Sequence, residues 1–480
     1  MKKKIPPAVY GGLLLTGVNL FSQILAFAYR VWLSRLVGPE TLGLYSLVMP
    51  VYSVVMSLCV SGLTVAVSRM TAAFAARGNT LAMEQTVRAA RKGYIIMLTA
   101  LAAVTVPLSD QISVHLLGDA RTRLGLLLLL PCIALTGWEN IHKNYFYGRK
   151  NVIPPATSEV LEQSVRTAVI LGLLYHLMPV HHELQVGLII TGMIASEVVS
   201  SILLTLFYRK DRLQRVQREN VQRENVQHEN VQSENARRDN ASGGRELPDI
   251  RARILKIALP VGAAGVLSSL IGSLGSIIIP GRLIVSGMEP SQALSAFGVA
   301  FGMTMPLLGL PLAFTVAISL VMLPRLAESA ALGDMAAIKR RVRSALLISM
   351  CVVALFTSFL IPFGRPIAQA LFRNPDAGSF MIPLAIATVF VCFEQILGSF
   401  LNGLGAQRKT AVNFITAGLL QLALTWWGVA QPELRLYGYV LAYLAGNILG
   451  TALCALDLAK ILQKKDAREL RAVDFEPDSI

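Results

Sequence analysis

The sequence predicts an all-α integral membrane protein of about twelve transmembrane helices, built as two pseudo-symmetric six-helix lobes around a central cavity. Three observations predict it: an excess of apolar residues, a lopsided placement of the basic ones, and an internal repeat. Of 480 residues, 54% are hydrophobic and only 15% charged, and mean hydropathy is +0.56. A water-soluble globule cannot bury that much apolar surface, so the remainder faces lipid. Mostly apolar runs approaching the roughly 20 residues that a bilayer core demands of a helix recur along the chain. They place spans at 8–29, 42–66, 93–117, 122–142, 152–178, 184–208, 254–279, 293–323, 343–363, 378–402, 410–430 and 436–458.

In a soluble protein the net charge of +15 would suggest a nucleic-acid partner. Here the basic residues sit between apolar runs, where they report topology, and no nucleic acid is expected. Of the 44 Lys and Arg, Arg30, Arg35, Arg121, Arg123, Arg282, Arg365, Arg373 and Arg435 fall on one side, and Arg166 lies inside a span. The other 35 fall in alternate segments beginning with Lys2-Lys3-Lys4. One missed helix would swap the sides of every later loop, so this imbalance supports the span count. It places both termini in the cytoplasm and makes the chain a multi-pass membrane protein. The apolar stretch after the lysines continues to Phe27 without a small-residue cleavage site, and is expected to be a retained span. Cys59, Cys132, Cys351, Cys392 and Cys454 show no CxxC spacing and read as apolar fillers.

At an offset of 255 residues, Val106-Pro107-Leu108 lies over Ile361-Pro362-Phe363, Gly78-Asn79 over Gly333-Asp334, Glu139-Asn140-Ile141 over Glu394-Gln395-Ile396, and Gly148 over Gly403. Near the second span the offset is 251, with Thr64 to Ser68 over Thr315 to Ser319. Six helices per half give both halves the same orientation, as in transporters whose parallel repeats enclose a path. The expected organisation is a first lobe over 1–208, a cytoplasmic hydrophilic linker over 209–250, a second lobe over 251–460 and a cytoplasmic tail over 461–480. In the linker, Val216-Gln217-Arg218-Glu219-Asn220 repeats every five residues through Asn235. That period builds no sustained apolar stripe, so a solvated, largely disordered segment is expected.

A charged side chain at membrane depth costs at least about 2.5 to 3.5 kcal/mol, so those retained face water or one another. Glu159, Glu162 and Arg166 share one helical face of the fifth span. That face either lines the cavity or forms an ion pair that holds helices together. Glu197, alone in the sixth span, is a candidate to carry a proton or neutralise Arg166. Glu139 and Glu394 occupy equivalent places in the fourth and tenth spans, near Lys143, Arg149, Arg408 and Lys409. They either gate the cytoplasmic mouth or cap and clamp loops. Arg30 and Arg35 follow the first span and Arg282 the seventh; guanidinium groups suit phosphate oxygens, and Arg35 equally suits the outer interface. Pro50, Pro107, Pro306, Pro311 and Pro362 are expected to bend or interrupt helices. No phosphate loop, HExxH or Ser-His-Asp arrangement is present, so no enzyme, cofactor or metal site is expected.

Leu20-Phe21-Ser22-Gln23-Ile24-Leu25-Ala26-Phe27, Arg35-Leu36-Val37-Gly38-Pro39-Glu40, Gly43-Leu44-Tyr45 and Asn402-Gly403-Leu404-Gly405 with Arg408-Lys409 resemble the polysaccharide-flippase branch of the MOP superfamily. The resemblance is strongest to the stage V sporulation protein B group, relatives of the MurJ-type lipid II flippases, and covers the chain apart from the 209–250 insert. It implies two lobes rocking about a cavity that is cationic where it receives pyrophosphate. It also implies a lipid-linked oligosaccharide or peptidoglycan precursor, of undecaprenyl-pyrophosphate type, as substrate in cell-wall or spore-cortex building. MurJ-type proteins carry arginines in the first two spans; this chain has Gln23 where the first would fall and Arg30 near the second, which leaves other undecaprenyl-linked glycans open. On this reading Arg30, Arg166 and Arg282 hold phosphate, Glu159, Glu162 and Glu197 balance charge or couple to a cation or proton, and Glu139 and Glu394 gate. A cation-coupled multidrug extrusion antiporter is the alternative within the same superfamily.

Overall fold

The computed structural model describes residues 7–177, 181–230 and 250–463, and among them all regular structure is helical. The first half comprises α1 (Pro7–Met56), α2 (Gly62–Ala76), α3 (Thr80–Thr105), α4 (Ser109–Gln111), α5 (Arg123–Gly148), α6 (Ile153–Leu177) and α7 (His182–Asn230). The second comprises α8 (Ile250–Val285), α9 (Pro290–Gly298), α10 (Met305–Leu332), α11 (Met335–Phe372), α12 (Met381–Gly403), α13 (Gln407–Gly428) and α14 (Leu436–Gln463).

Eight of these stretches are long and apolar enough to span a bilayer, and the bent pair Thr80–Thr105 with Ser109–Leu116 supplies another. The stretch Leu20–Ala76, at 57 residues, is far too long for one pass. It breaks at Gly38, whose φ of 74° suits a residue without a Cβ. Counting it twice and adding α6 and α13, whose polar residues lower their apolarity, gives twelve passes among the described residues, one for each expected span. Pro107 sits at the 72° bend, and Pro306 opens α10 just after the π-helical turn Val299–Thr304. Pro50, Pro311 and Pro362 lie within continuous helices.

The passes alternate, as side-chain contacts between their ends confirm. At one end, which contains Gly38, Glu40 pairs with Arg121 at 2.8 Å and Arg282 donates to the Trp426 carbonyl at 2.9 Å. At the other, which contains Gly78, Arg149 pairs with Asp211 and Arg212 with Glu84 at 2.8 Å.

The duplication is visible in local geometry. Gly78 and Gly333 have φ of 66° and 75°. Each precedes a helix cap: the Asn79 side chain accepts from the Ala82 N–H at 3.0 Å, that of Asp334 from the Ala337 N–H at 2.8 Å. A Cβ on Gly148 would strike the Ser68 carbonyl, and one on Gly403 would crowd the Leu323 carbonyl 255 residues later.

The halves meet along α1 and α2 on one side and α8, α9 and the turn Val299–Thr304 on the other. Backbones touch there: a Cβ on Gly298 would collide with the Pro39 carbonyl, on Gly43 with that of Leu294, and on Gly62 with that of Ala258. Away from this seam the surface is oily. Leu255, Leu259, Leu355 and Phe359 are exposed, and Tyr175, Trp426, Trp427 and Tyr437 ring the Gly38 end, as aromatic residues do at a membrane interface.

One expectation changes. The linker was to begin at Arg209, but α7 runs on to Asn230. Glu, Gln and Arg are good helix formers, and a helix already nucleated in the membrane extends into them without an apolar stripe of its own. The last copies of the repeat, residues 231–249, the Lys2-Lys3-Lys4 terminus and the tail 464–480 lie outside the described residues.

Candidate functional site

A cavity of about 360 Å³ is lined by α1 and the start of the second pass (Arg30, Tyr45, Tyr52), α5 (Glu139, Asn140, Lys143), α6 (Glu162, Arg166) and α7 (Glu197). Gly302 alone among its lining residues comes from the second half. The cavity therefore belongs to the first lobe and opens beside the seam, where the sequence placed it between the lobes.

Its polar wall is one connected network. Arg166 bridges Glu162 and Glu197, the latter at 3.1 Å. Lys143 bridges Glu139 at 2.7 Å and Glu162 at 3.3 Å, and Ser158 donates to Glu139 at 3.2 Å. Spacings of four along α5 and α6 bring Glu139 to Lys143 and Glu162 to Arg166. Carboxylate oxygens of Glu139, Glu162 and Glu197 lie within 4.8 Å of one another, a spacing that suits a shared cation. One oxygen each of Glu139 and Glu197 is buried without a hydrogen-bond partner. Acids packed this closely are held together by the two cations interleaved among them.

Of the arginines expected to hold phosphate, Arg30 and Arg166 share the cavity. Arg30 makes no ion pair among the described residues, whereas Arg166 is spoken for by its two glutamates. Arg282 is placed elsewhere: its guanidinium stacks 4.3 Å over the Trp426 ring and caps the end of α13, where helical carbonyls lack partners. Glu162 and Glu197 line the cavity, while Glu159 stays half-buried one turn earlier on α6, outside it. Of the two gating candidates, one pairs with a basic neighbour and the other does not. Glu139 binds Lys143 inside the cavity while Arg149 goes to Asp211. Glu394 is buried against Gly450 with no ion pair among the described residues, and Lys409 approaches Asp457 instead. Lys143 as the hub between Glu139 and Glu162 was missed as a cavity residue; its i,i+4 spacing from Glu139 is the signal that points to it.

The lobes are sealed at the Gly38 end. Arg35 reaches from α1 to the last turn of α11 and donates to the Leu371 and Ala370 carbonyls at 2.5 and 2.7 Å. The backbone contacts of Gly298 and Gly43 continue that seal.

Two family models match in tandem: Polysaccharide biosynthesis protein over residues 8–228, and Lipid II flippase MurJ over 294–472. The first half is thus similar to polysaccharide biosynthesis proteins and the second to MurJ-type lipid II flippases, both of the polysaccharide-flippase branch. Among relatives of this branch, stage V sporulation protein B of Bacillus subtilis (strain 168) is 22% identical over 458 residues, covering 94% of this chain and 83% of the relative. Among solved MOP-superfamily structures, an inward-facing multidrug resistance MATE family transporter aligns at TM-score 0.72 and 16% identity, over 97% of this chain and 100% of the other. An outward-facing one aligns at 0.63 and 16% identity, over 98% of each. The MATE likeness shows the fold, a paired helical bundle.

Proposed function

We propose that this protein flips a lipid-linked oligosaccharide or peptidoglycan precursor across the cytoplasmic membrane by alternating access. The observation that carries the reading is a charged cavity beside the seam of two bilayer-length bundles, sealed at the Gly38 end and flanked by Arg30. The Gly78 end, where basic residues concentrate, faces the cytoplasm, so the sealed state is the inward-facing one. The better alignment to the inward-facing relative supports this.

The head group enters the first-lobe cavity while its polyprenyl tail stays in lipid. Arg30 takes a diphosphate oxygen first, because no carboxylate competes for it. Arg166 and Lys143 follow only by leaving their glutamates, since guanidinium and ammonium groups prefer the more highly charged diphosphate. Glu139, Glu162 and Glu197 are then three adjacent carboxylates without counter-charge, a state that calls for a proton or a cation. Substrate and coupling ion therefore trade partners within one network.

The antiporter alternative draws on the same carboxylates, and would move small organic cations. The test is transport by the purified protein in proteoliposomes. An Arg30→Ala variant, which breaks no ion pair among the described residues, is expected to fold and to lose flux of an undecaprenyl diphosphate glycan. Unchanged flux in that variant, or wild-type liposomes that move only organic cations, overturns the flippase reading.

A further inference from the structure

At the Gly78 end of the first lobe, away from the cavity, lies a second collection of guanidinium groups. α3 and α7 both pack on α5 and hardly on each other, so α5 floors a groove between them. The floor is aromatic: Trp138 and Tyr145 of α5, with Tyr208 on the α7 wall. Arg91 of α3 is clamped between two of these rings, 4.6 Å from the Trp138 centroid and 4.9 Å from that of Tyr208. One edge of its guanidinium meets His142, while its Nε is buried without a hydrogen-bond partner. Arg215 of α7 is 8% exposed, lies 5.6 Å over the Tyr145 ring, and has no hydrogen-bond partner at either terminal nitrogen.

Charge in this groove is not balanced. Arg88, Arg209 and Arg212 act electrostatically on Arg91, and Arg149 and Arg215 stand beside them on Asp211. Against these cations stand Glu84, paired with Arg212, and Asp211. Basic residues at a cytoplasmic helix end are ordinary. Aromatic-clamped arginines with idle buried donors are not, because a buried donor gives up its bonds to water without replacement, and the groove holds three such nitrogens.

We propose that this groove binds the phosphate of an anionic phospholipid from the leaflet at the Gly78 end, with Arg88, Arg91 and Arg209 as its ligands and Trp138 and Tyr208 against its glycerol region. A lipid fits better than a dissolved anion because both walls are transmembrane helices and the floor carries the aromatic and basic pairing found at headgroup depth. General attraction of a basic surface to anionic lipid predicts no dependence on these particular arginines.

The test uses the full-length protein in detergent, titrated with phosphatidylglycerol, phosphatidylethanolamine or inorganic phosphate, with thermal unfolding and native mass spectrometry as readouts. Arg88 and Arg209 are exposed, so Arg88→Gln/Arg209→Gln is expected to fold. Phosphatidylglycerol should raise the wild-type midpoint and remain bound in the spectrometer. The double variant should weaken this at least about tenfold, while Arg340→Gln/Arg343→Gln on α11 should leave it intact. Equal losses in the two double variants, equal retention by phosphatidylethanolamine, or the same protection by inorganic phosphate would overturn the proposal.

Discussion

At the offset that lays Glu139 on Glu394 and Gly148 on Gly403, Lys143 falls on Gly398, Glu162 on Ala417, Arg166 on Gln421 and Glu197 on Ala452. The two lobes repeat the same caps and the same glycine contacts, yet one holds a five-residue ionic network and the other a single buried acid. The second-lobe cavity, about 370 Å³, is lined by Ile271, Gly272, Phe414, Gly418, Gln421 and Leu422. Packing positions constrain both copies, because a Cβ would strike the Ser68 carbonyl at Gly148 and crowd that of Leu323 at Gly403. Charge constrains neither copy, since an ion in an apolar bundle costs stability unless it is paired or used. On the proposed reading its presence in one lobe marks the site, and the lobes divide into a charged half and an apolar partner.

Four substitutions sharpen or break this division. Glu162→Gln has the largest expected effect. Glu162 is shared by Lys143 and Arg166, and its loss should cost about 3 kcal/mol of stability, read in the unfolding midpoint, and most of the flux in proteoliposomes. Gly298→Val follows, because the new side chain cannot coexist with the Pro39 carbonyl. Overpacking of about 1 to 3 kcal/mol should hold the Gly38 end open, seen as longer distances between spin labels on α1 and α9. Arg35→Ala removes two exposed hydrogen bonds to α11. An effect of about 1 kcal/mol should shift the same distance distribution by about fivefold without abolishing transport. Glu394→Gln is the smallest: with no ion pair to lose, stability should stay within about 0.5 kcal/mol or rise, and flux should not change. A collapse of flux in Glu394→Gln would erase the distinction between the lobes.

The twelve passes, the duplication and the Arg166 network were legible because they rest on local spacing: apolar runs, helix caps, and i,i+4 pairs along one helix. The bend at Pro107 was legible for the same reason. What the sequence could not show was which helix ends would be neighbours. Arg282 looked equivalent to Arg30, but its position against the end of α13 depends on tertiary packing within the second lobe. Arg149 was one of four basic residues near the gating acids, yet Asp211, 62 residues further along, takes it. The extension of α7 to Asn230 was hidden because periodicity reports burial, and the five-residue repeat carries no helical apolar period.

The claim on which the rest depends is that the head group occupies the first-lobe cavity alone. An undecaprenyl diphosphate glycan bearing a photoactivatable sugar, crosslinked in proteoliposomes and mapped by peptide mass spectrometry, tests it directly. The account predicts adducts on α1, α5 and α6 around Arg30, Asn140 and Arg166. Adducts on α8 and α13 around Gly272 and Gln421, with none in the first lobe, would contradict it.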